Sequence, residues 1–99
     1  EGTDMAGVPA AYAVSKAGMI QLVRYLAVIL APVRVNCVSP GGILRGQEQA
    51  FIGRYTAKTS MGRMLTEQDV SDAVCWLASD AASMVTGHNL VVDGGYLLA

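Results

Sequence analysis

The chain has 99 residues, 53% of them hydrophobic and only 15% charged, with seven Lys and Arg against eight Asp and Glu for a formal charge of −1. The scattered cations exclude the basic stripe that nucleic-acid binding requires, and a lone His88 with two separated cysteines leaves no spaced cluster for a metal. A free-standing domain this small normally carries more charge, so the composition predicts packing against residues outside this sequence, tight self-association, or both.

Cys37 and Cys75 sit in apolar stretches without a disulfide-like framework, and both are expected to be buried thiols in a reducing cytoplasm. Residues 1–9 lack the basic start and apolar core of a signal peptide. The most apolar run, Leu26 to Ala31, is far short of the ~20 residues of a membrane span. The expectation is a soluble, cytoplasmic protein with no membrane partner.

In chain order, Gly2, Gly7 and Pro9 mark an opening loop. Helix formers then run from Ala10 to about Leu30, and Pro32 prevents continuation. Val14, Ala17, Leu22 and Leu26 give this helix apolar faces, while Met19, Ile20, Val23 and Ile29 fill much of the remaining circumference. Such a helix is expected to be buried on several sides, which in a chain of this size implies contact with another subunit or with a missing half. Val33 to Ser39 is β-branched and alternating and leads into Pro40-Gly41-Gly42, which predicts a strand entering a turn.

Leu44 to Met61 has no sustained period and is punctuated by Gly46 and Gly53, which predicts a mobile lid holding a short helix. Thr66 then has the chemistry of an N-cap, with Glu67 and Asp69 in the first turn of a helix reaching Ser79. Asn89 to Val92 is a short strand closed by Asp93-Gly94-Gly95. The order helix, strand, lid, helix, strand predicts half of an α/β sandwich with a parallel sheet, and residues 1–99 are expected to belong to one domain.

Tyr12 and Lys16 are the residues with the clearest chemistry. A spacing of four puts phenol and ammonium on one helical face. A tyrosine, with a reference pKa near ~10, exchanges protons poorly at neutral pH unless its phenolate is stabilised, and a neighbouring cation does that. The pair suits proton transfer to or from an alcohol or carbonyl oxygen. The same spacing also describes an ordinary surface pair, so its context decides.

That context is a set of ordered blocks. Tyr12-Ala-Val-Ser-Lys16-Ala, Arg34-Val-Asn36-Cys-Val-Ser-Pro40-Gly41, Gly62-Arg63-Met64 ahead of the Glu67/Asp69 helix and Leu77-Ala78-Ser79-Asp80, and Thr86-Gly87 with Val92-Asp93-Gly94-Gly95 follow one another along nearly the whole chain. Together they resemble the C-terminal part of the short-chain dehydrogenase/reductase family. The resemblance implies the C-terminal half of a doubly wound, Rossmann-type parallel sheet and an NAD- or NADP-dependent oxidoreductase interconverting an alcohol and a carbonyl by hydride transfer.

It also implies roles. Tyr12 is the general acid/base, and Lys16 holds the nicotinamide ribose and favours the Tyr12 phenolate. Backbone groups of Pro40, Gly41, Gly42 and Ile43 bind the carboxamide, the two glycines permitting close approach. Ser15 is not the family's catalytic serine, which belongs upstream of Tyr12 together with the Gly-rich phosphate loop. The 99 residues are therefore expected to be an inactive fragment when isolated. No metal is implied, and the expected partners are a small alcohol or carbonyl and further copies of the chain in a homodimer or homotetramer.

Asn36 is read as structural, Trp76 and the methionines as core or interface, and Asp93-Gly94-Gly95 as shaping a turn at a subunit interface. Arg45 stands where the family often has threonine, which removes a hydroxyl contact to the carboxamide. Glu1-Gly-Thr, the Asn36-Cys37 pair and Ser39-Pro-Gly-Gly-Ile43 resemble more narrowly the members linked to bacterial surface-sugar or flagellin-glycan biosynthesis. The contrasting expectation is a non-catalytic module that keeps the fold for oligomerisation or ligand binding.

Overall fold

The computed structural model describes residues 10–96. They form α1 (Ala10–Ile29), β1 (Cys37–Pro40), α2 (Gln49–Ala57), α3 (Glu67–Ala78), a single 3-10 turn (Asp80–Ala82) and β2 (Asn89–Val92). Two compact units divide these elements. The first contains residues 10–37 with Thr86–His88, and the second contains 38–85 and 89–96.

In the first unit, α1 is the expected helix, ending just ahead of Pro32. Its buried residues are Val23 and Ala27, four apart and therefore on one stripe. Gly87 lies against that stripe: a Cβ there would come 3.4 Å from the Ala27 Cβ. Elsewhere the helix is largely exposed among the described residues, with Val14 70% and Val28 76% exposed; the burial expected of it was against another subunit or residues outside this sequence. Among the described residues no helix is long and apolar enough to cross a membrane.

The strand expected from Val33 begins only at Cys37. Side chains account for the delay. The Val35 N–H donates to Thr86 Oγ1 at 3.0 Å and the His88 N–H donates to Asn36 Oδ1 at 3.0 Å, so side-chain oxygens stand where a ladder needs backbone carbonyls. Asn36 thus has the structural role expected of it. Cys37 N–H donates to His88 O at 2.9 Å and Gly41 N–H to Val92 O at 2.8 Å. Both pairs are offset by 51 positions (88 − 37 and 92 − 41), so β1 and β2 run parallel, forming a sheet of two strands.

Among the described residues, the second unit holds most of the buried ones. Its buried residues include Met64, Leu65, Leu77 and Ala82, with Ser39 and Thr59 as buried hydroxyls. Ser39 Oγ donates to Asn89 Oδ1 at 2.6 Å, joining the two strands through their side chains. The α3 helix packs on β2 and starts where Thr66 predicted. Thr66 Oγ1 accepts from the Asp69 N–H at 3.1 Å and Asp69 Oδ2 accepts from the Thr66 N–H at 2.8 Å, a reciprocal capping box.

The expectation that both cysteines are buried needs correction. Cys75 is exposed and Cys37 only half-buried, and neither is in a disulfide. Cys75 lies two positions from the buried Leu77, which places it on the opposite side of α3. Trp76 is 46% exposed and Met84 92%, whereas Met64 belongs to the core at 5%.

Candidate active site

The sequence-predicted residues fall in both units. Tyr12 and Lys16 lie on α1 in the first, and Pro40, Gly41, Gly42 and Ile43 lie in the second. Helical geometry puts the Tyr12 phenol and Lys16 ammonium on one face, a turn apart. Tyr12 is 58% exposed and Lys16 half-buried. Among the described residues neither side chain is committed to a hydrogen bond or ion pair.

The Pro40–Ile43 turn leaves the carboxyl end of β1 and is fixed almost atom by atom. The Gly41 N–H donates to Val92 O, and the Gly42 N–H donates to the Tyr55 hydroxyl. Leu65 pairs with Ile43 in parallel: its N–H donates to Gly42 O at 3.0 Å, and its carbonyl accepts from the Leu44 N–H at 2.8 Å. Gln47 closes the next turn, donating from Nε2 to Ile43 O at 2.9 Å and accepting from the Arg45 N–H at 2.8 Å. Among the described residues, the Ile43 N–H is the donor on this stretch with no acceptor. A half-buried amide in that state is a ready site for a ligand oxygen.

The two glycines are required by the chain itself. A Cβ on Gly41 would sit 2.8 Å from the Asp93 Cβ, and one on Gly42 would sit 2.8 Å from Tyr55 Cζ. The close approach expected toward a cofactor is thus taken up on this side by Tyr55 and Asp93, a sharper reason for glycine than turn conformation alone.

The segment that carries Leu65 is tied to the first turn of α3. Arg63 binds Asp69 with both guanidinium nitrogens, at 2.8 and 3.3 Å, and Nη1 also donates to Met64 O at 3.0 Å. The Arg63 guanidinium, and then the Thr66 N–H, hold the Asp69 carboxyl well below the usual carboxylate range. The Gly62-Arg63-Met64 block thus leads directly into Leu65, which pairs with Ile43. Arg45 points to a surface partner, with Nε 3.4 Å from Glu67 Oε2 and both side chains largely exposed.

Sequence reasoning missed Tyr55, Gln47 and Leu65. Gln47 carries a weak local signal, an amide within four residues of the turn. Tyr55 and Leu65 carry none, because their contacts with Gly42 span 13 and 23 positions (55 − 42 and 65 − 42). Among the described residues, no group of three His, Cys, Asp or Glu could hold a metal ion. An open, largely apolar groove lined by Ser60, Met61, Val91 and Gly94 contains none of the predicted site residues.

A family model described as enoyl-(acyl carrier protein) reductase matches residues 2–97. The chain belongs to the short-chain dehydrogenase/reductase family. It is 41% identical to (+)-borneol dehydrogenase 1 of Salvia officinalis, across 95% of this chain and 40% of that protein. It is 44% identical to the ribulose-forming D-arabinitol 2-dehydrogenase of Scheffersomyces stipitis, across 86% of this chain and 34% of that protein. A crystal structure of a short-chain dehydrogenase from Leptospira borgpetersenii with bound NAD+ superposes with a TM-score of 0.85 at 45% identity, covering 95% of this chain and 39% of that one. The family fold, a Rossmann-type α/β sheet, is thereby established for this chain. The chain spans about 40% or less of the length of these relatives.

Proposed function

We propose that the protein to which this chain belongs is an NAD(P)-dependent oxidoreductase that interconverts a small-molecule alcohol and a carbonyl. The observation that carries the reading is an exposed Tyr12 followed one helical turn later by Lys16, both uncommitted among the described residues, in a chain of this family. The turn supports it with its open Ile43 N–H, the donor that a carboxamide oxygen requires. A bound nicotinamide supplies the hydride donor or acceptor. Tyr12 delivers a proton to the substrate oxygen during reduction and removes it during oxidation. Lys16 binds the ribose hydroxyls and favours the phenolate by its charge. Pro40 to Ile43 orient the ring through backbone groups, Ile43 donating its N–H.

The relatives' names are those of alcohol-oxidising dehydrogenases, and similar solved structures hold NAD+ or NADH, which favours a nicotinamide cofactor here. The narrower reading, a member acting in bacterial surface-sugar or flagellin-glycan biosynthesis, rests on the sequence pattern around Asn36 and Pro40 to Ile43 alone. Self-association as a dimer or tetramer is supported by the exposed apolar circumference of α1. Cytoplasmic residence, and a single domain including all 99 residues, belong to the same proposal.

The test is a full-length polypeptide with Tyr12→Phe, assayed by nicotinamide absorbance against a panel of secondary alcohols and ketones. Loss of general acid–base catalysis lowers turnover by about 10²–10⁴-fold. Undiminished hydride transfer in the variant would remove Tyr12 from the mechanism. The 99-residue chain alone should show no turnover.

A further inference from the structure

The α2 helix, within the segment expected to form a lid, is bonded to the turn that follows β1. Its Tyr55 hydroxyl accepts the Gly42 N–H, and its ring stacks on Tyr96 with centroids 4.4 Å apart and planes within 6°. Tyr55 is half-buried, and its ring and hydroxyl occupy the space that side chains on Gly41 and Gly42 would need. One side chain thus ties three separate segments of the second unit: the lid helix, the Pro-Gly-Gly turn and the turn after β2.

The consequence lies at the neighbouring peptide. With the Gly42 N–H donated to Tyr55 and Gly42 O accepting from Leu65, both polar groups of residue 42 are committed. The plane of the peptide joining Gly42 to Ile43 is then held by the Leu65 bond to its oxygen, and the approach to it by the Tyr55 bond one residue earlier. The direction of the Ile43 N–H follows from these constraints.

We propose that Tyr55 is a positioning residue that aims the Ile43 N–H at the nicotinamide carboxamide and links the seating of the lid helix to cofactor binding. It touches no reacting atom; it acts through the turn. The inference rests on the nicotinamide reading above and adds a residue outside the family-like motifs of the sequence.

The experiment uses the full-length polypeptide, titrated with NADH or NADPH, whichever the parent binds, and with the corresponding ADP-ribose lacking the nicotinamide. Tyr55→Phe keeps the ring that stacks on Tyr96 and removes the acceptor. One hydrogen bond's worth of order predicts about fivefold weaker binding of the dinucleotide, with ADP-ribose affinity unchanged. Tyr96→Leu, which loosens the ring and leaves the hydroxyl, should weaken dinucleotide binding in the same selective way by about twofold. ADP-ribose binding also reports whether each variant is folded.

Equal dinucleotide affinity in parent and Tyr55→Phe would overturn the inference alone. So would a parallel loss of both ligands in both variants, which marks a structural role. A parent that binds neither dinucleotide defeats the cofactor reading and this inference with it.

Discussion

The α1 helix and the turn after β1 carry the two halves of the proposed site in contrasting ways. On α1, Tyr12, Val14, Met19, Leu22 and Tyr25 are all exposed, and Val23 and Ala27 alone are buried. Around Pro40 to Ile43 the Gly41 and Gly42 N–H groups and the Gly42 and Ile43 carbonyls all find partners in the same unit. Tyr12 and Lys16 therefore stand on a largely exposed helix, whereas the turn proposed to bind the cofactor takes its partners from its own unit. Reactive side chains need only a helix to set their mutual spacing. A backbone donor needs its whole neighbourhood.

Substitutions can break that contrast, starting with the largest effect. Lys16→Ala in the full-length polypeptide should cut turnover by about 10²-fold or more and act non-additively with Tyr12→Phe, since the two serve one proton transfer. Steady-state kinetics of the single and double variants check this; additive losses would separate the pair. On the other side, Gly42→Ala forces a Cβ to within 2.8 Å of Tyr55 Cζ and 3.1 Å of Met64 Cε. The overpacking should cost about 1–3 kcal/mol in a denaturant titration, with weakened cofactor binding. Gly18 on α1 meets nothing within 4 Å in this chain, so Gly18→Ala should gain up to about 1 kcal/mol if that face stays free, and a loss of stability would mark packing of α1 on a second copy.

Smaller effects test how the turn is supported. Thr66→Ala removes one half of the capping box and should cost about 1 kcal/mol, read as a shift in the unfolding midpoint. Asp69 adds a pH signature. Its folded carboxyl titrates below its unfolded reference value of 3.8, so its contribution is complete above that pH and is lost as pH falls through the depressed folded value. Asp69→Asn should flatten the acid limb of the stability profile below about pH 4, and added salt should shrink the difference because the pair is exposed. An unchanged acid limb would show that Arg63 contributes nothing through Asp69. Arg45→Ala, which removes an exposed ion pair, should change stability by less than about 0.5 kcal/mol.

Much of this was legible in local sequence. Pro32 ended α1, Thr66 with Asp69 started α3, and Pro40-Gly41-Gly42 closed β1, because each signal acts within a few residues through steric exclusion or capping. Where β1 begins was not legible. Val33 to Asn36 is strand-like in composition, yet Thr86 Oγ1 and Asn36 Oδ1 take the bonds that a ladder would use. The burial of Cys75 was misjudged because apolar character does not say which face of α3 meets β2.

By itself, the sequence determined the family, the order of elements and the spacing of Tyr12 and Lys16 on one helical face. Those properties depend on residue types at short separations, where backbone geometry leaves little choice. Only the tertiary structure decided why Gly41 and Gly42 must lack side chains, and which backbone donor of the turn stays open. Both depend on Tyr55, Leu65 and Asp93, which reach the turn from distant parts of the chain and leave no pattern along it.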